Sequence, residues 1–131
     1  MKKFLAHIAL VIDDYDNAID YYTNTLNFIL IEDTKLDAVK RWVLISPSLE
    51  AETKILLARA GNEEQISRIG NQTGGRVFLF LHTNNFESDY QNLLNNDVKI
   101  KREPKVEIWG KVVVFEDKYG NLWDLIEPSN R

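Results

Sequence analysis

The chain carries one pattern twice, and this duplication constrains its fold more than any single motif does. Residues 4–12 (FLAHIALVI) have the length and β-branched content of a strand. Asp14 then caps a helix reading YDNAIDYYTNTL, in which Tyr15, Ala18, Ile19, Tyr22 and Leu26 recur at helical spacing. Asn27 suits the left-handed position after the helix, and strands are expected over 28–32, 41–45 and 53–59. Just over half a chain later the order begins again. A strand over 76–83 is followed by Asn85 as the cap of FESDYQNLLNN, by Asp97 in the place of Asn27, and by a strand starting at 98–101. After the polar, proline-containing segment 102–105, strands are expected over 112–115 and 122–127. The fold class read from this is α+β, two tandem β-α-β-β-β modules. Module 1 covers about residues 1–60 and module 2 about 76–131. The joint over about 61–75 holds a short helix, capped by Asn62 and ended at Gly70.

Bulk properties exclude several function classes. A length of 131 residues fits one domain built from two small modules, and 44% apolar with 27% charged residues is ordinary for a globular chain. The formal charge of −4 offers no basic face for nucleic acid. No apolar run approaches the ~20 residues of a membrane-spanning helix. The absence of cysteine excludes disulfides and thiolate chemistry, and fits a reducing, cytoplasmic setting.

Two polar residues stand out against apolar neighbours. Strand alternation puts Asp124 on one face with Leu122 and Ile126, and His7 on one face with Leu5, Ala9 and Val11. A carboxylate so placed needs a cation, a donor or a metal. Paired with His7, it would fix the imidazole tautomer and leave the other ring nitrogen for a ligand or a proton. Trp42, Phe78, Phe80 and Trp109 either line a ligand cavity or fill a core. Arg41 and Arg76 border these strands as anchors for a carboxylate or as salt-bridge partners, and His82 closes a strand on the face of Phe78. Phosphate-binding glycine loops and nucleophile elbows are absent.

The stretches HIAL at 7–10, DYDNAIDYY at 14–22, LNF at 26–28 and FEDKYGNLWDL at 115–125 resemble the vicinal oxygen chelate superfamily. That superfamily includes glyoxalase I, bleomycin- and fosfomycin-resistance proteins and extradiol dioxygenases. The resemblance covers essentially the whole chain. It implies sheets curled around a cavity, a homodimer, and a small-molecule ligand. Family metal ligands map onto His7 and onto Asp124, where Glu is usual; the position of a second histidine is Phe78, and residues 53–58 offer no acidic ligand. The expected function is therefore binding of a small, partly apolar organic compound at an incomplete metal site, with no cofactor. The ligand would meet Trp42, Phe78, Phe80 and Trp109, with His7 and Asp124 as polar or catalytic groups. One alternative is a lyase, isomerase or dioxygenase holding one zinc, manganese, nickel or iron ion at His7 and Asp124. Another is a dimeric interaction domain with a filled cavity.

Overall fold

A computed structural model describes residues 2–129 and divides after Ile69 into two compact units. In the first, β1 (His7–Ile12), α1 (Tyr15–Asp20), β2 (Ile29–Lys35), β3 (Arg41–Ser46) and β4 (Lys54–Arg59) form a sheet of order β1-β4-β3-β2 with the helix on one side. A short helix α2 (Glu63–Ser67) follows. The second unit repeats the plan with β5 (Leu79–His82), α3 (Phe86–Asn95), β6 (Lys99–Glu107), β7 (Gly110–Glu116) and β8 (Leu122–Pro128), in the order β5-β8-β7-β6. In each sheet the opening strand pairs in parallel with the closing strand, and the other pairings are antiparallel. No helix among the described residues is long and apolar enough to cross a membrane.

The repeat is carried by matching local devices. Asp14 and Asn85 both adopt extended-type φ and accept, through their side chains, the backbone N–H three residues on. Asn27 and Asp97 both take positive φ, 61° and 55°, and turn the chain from helix into strand. Asn62 caps α2 by accepting from the Gln65 N–H at 2.9 Å, and the Gln65 side chain reaches back to the Gly61 N–H at 2.7 Å.

Each sheet buries one face under its helix. In the first unit Leu10, Leu57 and Val43 form one row across the strands, and Ile8, Ile55 and Ile45 the next. Tyr15, Ala18 and Tyr22 supply buried side chains from the helical segment. In the second unit Leu79, Trp123 and Phe115 form one row, the Trp123 and Phe115 rings stacking at 5.8 Å, while Phe86 and Leu93 are the buried residues of α3. Glu127 accepts the Phe86 N–H at 2.7 Å, putting a carboxylate at the helix N-terminus.

Three expectations need correction. The first helix is not α-helical throughout: Tyr21–Thr25 widens into a π turn, where the Thr23 hydroxyl donates to the Ile19 carbonyl at 2.7 Å and competes with the backbone ladder. Segment 102–105 does not interrupt the sheet, because β6 runs through Pro104 to Glu107. β6 is an edge strand, so a residue lacking an N–H is tolerated, and register shifts on either side of Arg102 absorb the irregularity. Strands β1 and β5 are shorter than expected, starting at His7 and Leu79.

The turn between β7 and β8 is organised by Asp117, which is only 3% exposed. Its carboxylate accepts from the Tyr119 and Asn121 N–H groups at 2.9 and 3.0 Å, from Asn121 Nδ2 at 3.0 Å and from Trp123 Nε1 at 3.0 Å. Asp117→Ala strands these buried donors and should cost about 3 kcal/mol in urea unfolding of the full chain. Loss below about 0.5 kcal/mol, the scale of a neutral surface change, would contradict the role assigned to the turn.

Candidate functional site

The faces turned away from the helices carry the candidate residues, and strand register fixes their order. Partners across a sheet project to one side. In the second unit a row runs Phe80 (β5), Asp124 (β8), Val114 (β7), Arg102 (β6). In the first, the corresponding row runs Ala9 (β1), Leu56 (β4), Leu44 (β3), Glu32 (β2). Both second strands slip register at the same place, between Leu30 and Glu32 and between Ile100 and Arg102, which makes the two rows equivalent position by position. Ala9 thus answers to Phe80, Leu56 to Asp124, and Glu32 to Arg102.

Asp124 is half-buried beside Phe80, a residue that remains 64% exposed. Burial pushes the Asp124 pKa above its ordinary value, and the Arg102 charge two strands away partly opposes the shift. A carboxyl group that is desolvated on an exposed sheet face, next to an exposed aromatic, is a common mark of a binding or catalytic position. Arg102 is the site residue that sequence reasoning missed. Its signal was the matching charged residue, Glu32, at the equivalent place in the first module.

In the first unit His7 meets Trp42 edge to face, with ring centroids 5.8 Å apart, and its Nδ1 lies 2.6 Å from the Ala6 carbonyl oxygen, to which it donates. The open face there combines an exposed imidazole with an indole. Phe78 precedes β5, its N–H donating to the Leu122 carbonyl at 2.8 Å, and its side chain lines a cleft at that end of the second sheet. Trp109 lies instead in the β6–β7 turn next to Ile108, 94% exposed, and away from the Phe80–Asp124 row. His82 is exposed at the end of β5 and pairs with Ile126 in register. Arg41 is a structural clamp: it grips Asp33 through two nitrogens at 3.1 and 2.7 Å, meets Asp16 at 3.0 Å and lies over the Tyr15 ring.

His7 and Asp124 are the polar residues at the positions that the family resemblance assigns to metal ligands. Repeat equivalence pairs His7 with Phe78 and Asp124 with Leu56, so carbon side chains occupy half of the four related positions. Among the described residues no three His, Asp or Glu side chains come together as a ligand group. Two protein ligands fall short of the three or four that hold zinc and related ions.

The family profile described as Glyoxalase/Bleomycin resistance protein/Dioxygenase superfamily matches residues 4–125. An uncharacterized protein of Shewanella frigidimarina is 51% identical, over 100% of this chain and 98% of its own. The crystal structure of UcmS2 superposes with a TM-score of 0.82 at 27% identity, covering 97% of this chain and 99% of that one. That of TnmS3, described as an antibiotic binding protein from Streptomyces sp. CB03234, gives 0.77 at 25% identity, covering 98% of each.

The raised Asp124 pKa has a testable sign. The folded chain holds this proton to higher pH than the unfolded chain, so ionisation costs stability as pH rises from about 4. Asp124→Asn should therefore be more stable than the parent at pH 7, and the gain should vanish near pH 3, in urea unfolding at both pH values. A variant less stable at pH 7 would show that the ionised carboxylate is a net stabilising group.

Proposed function

The chain belongs to the glyoxalase/bleomycin resistance protein/dioxygenase superfamily, and from that premise we propose that it binds a small, partly apolar organic molecule on the open faces of its sheets without a chelated metal. The observation that carries this reading is Phe80, 64% exposed and in register with the desolvated Asp124. An exposed aromatic supplies binding energy through buried area, and a half-buried carboxyl orients one polar group. The Asp124 carboxylate accepts from a ligand hydroxyl or amine, and its protonated form donates to a ligand carbonyl. His7 and Trp42 offer a comparable imidazole–indole pair on the first sheet. Leu56 and Phe78, as carbon side chains at the remaining equivalent positions, favour binding over metal-assisted turnover. The description of TnmS3 as antibiotic-binding supports the same class of ligand.

The proposed assembly is a homodimer in the cytoplasm. Exposed Leu36 and Val39 on the β2–β3 hairpin and Val106, Ile108 and Trp109 on the β6–β7 hairpin supply apolar surface for a second copy. Sedimentation should give about twice the chain mass of 15.2 kDa. A monomer at all micromolar concentrations would remove the dimer from the proposal.

The binding reading predicts saturable tryptophan quenching by planar compounds bearing one carbonyl or hydroxyl. Phe80→Ala should weaken them about tenfold, the equivalent of roughly 1.4 kcal/mol of lost apolar contact. A broad screen without any saturable response would favour a filled, interaction-only face instead. After dialysis, elemental analysis should find far less than one ion of zinc, manganese, nickel or iron per chain. A near-stoichiometric ion lost in His7→Ala would reinstate the metal enzyme.

A further inference from the structure

The second unit holds a cleft of about 230 Å³ at the end of its open face. Its walls come from the segment between Gly70 and Phe78, from Lys101 at the register slip in β6, and from the β7–β8 turn. These walls are fixed by close backbone packing. Gly70, with φ +72°, sits so near the turn that a Cβ would lie 1.8 Å from the Tyr119 carbonyl oxygen. The Thr73 hydroxyl donates to the Arg76 carbonyl at 2.6 Å and closes the segment on itself. Leu122 stands two residues before Asp124 on β8, and Phe78, just ahead of β5 and hydrogen-bonded to Leu122, stands two residues before Phe80, so the cleft opens onto the same face.

Three charged side chains line it: Arg76, Lys101 and Glu116. Glu116 is answered by Lys99 at 3.8 Å. Among the described residues Arg76 and Lys101 enter no ion pair, although the chain carries 20 acidic residues against 16 basic ones. Two uncompensated cations at one cleft, in an acidic protein, next to an aromatic wall that lowers the local dielectric, form a favourable setting for a negative group.

We propose that this cleft is an anion subsite, taking the carboxylate or phosphate of an organic ligand whose apolar part lies along Phe78 and Phe80. The assignment rests on the reading of the open face as a ligand site and specifies its ligand as an amphipathic acid. Arg76 supplies a planar fork and Lys101 a point charge. Asp124 lies two residues further along β8 than Leu122, on the order of 7 Å, and repels a second anion once ionised. The ligand class is therefore a mono-acid, with any hydroxyl or amine donor about that far from the acidic group.

The test uses the full chain, ¹⁵N-labelled, titrated with benzoate, benzamide, phenyl phosphate and inorganic phosphate. Benzoate or phenyl phosphate should shift the Gly70, Gly75 and Gly120 amides saturably, with benzamide at least about tenfold weaker, the worth of one charge-assisted contact. The double variant Arg76→Gln, Lys101→Gln should lose about tenfold or more, while Arg76→Lys, which keeps the charge, should retain most of the binding. Both positions are exposed, and a dispersed spectrum verifies that the variants fold. Benzamide binding as tightly as benzoate, or the double variant binding like the parent, overturns the subsite. Inorganic phosphate competing as well as phenyl phosphate overturns the organic-acid assignment. If benzamide still binds at Phe80 while the cleft amides ignore benzoate, the subsite alone fails. If no probe moves any resonance of the open face, the binding reading fails with it.

Discussion

The geometry of the second unit depends on one buried carboxylate. Asp117 gathers two backbone and two side-chain N–H groups into a turn between β7 and β8, and one of those donors, Trp123, is itself a core residue of β8. The turn therefore sets strand register as well as connection. A slip of one residue would bring Trp123 to the open face and Asp124 under the helix. Gly70 packs against the same turn, so the walls of the cleft and the placement of Asp124 share one anchor.

The two modules keep one backbone plan and carry different chemistry on it. Caps, left-handed residues after the helices, and register slips in the second strands recur at matched positions. The side chains on the open faces do not recur. Glu32 stands where Arg102 stands, and Leu56 where Asp124 stands. The fold needs the apolar rows beneath the helices, and it leaves the other face free to change sign and polarity.

That division also explains what the sequence made legible. Asp14, Asn27, Asn85 and Asp97 act through their own local backbone, so their roles could be read from residue type and spacing. Alternation in β8 separated Asp124 from Trp123 for the same reason. Features set by strands distant in sequence were hidden. Pro104 reads as a breaker until β6 is known to be an edge, and the influence of Arg102 on Asp124 passes across two strand pairings. Trp109 has the composition of a sheet aromatic, yet it falls in a hairpin turn. Arg41 reads as a possible anion anchor, but Asp33 and Asp16 already engage it.

Sheet order has a consequence for how the protein is made. β8 is the last strand of its unit in sequence, but it lies inside the sheet, between β5 and β7. β4 holds the same place in the first sheet, so during synthesis, which proceeds at about 5–20 residues per second, β1 has no partner until residues beyond Lys54 appear and β5 has none until residues beyond Leu122 appear. For that interval Phe80 and the apolar side of β7 stand without their central neighbour. Each unit is thus open to mispairing until its last strand has been made and inserted between its first and third strands.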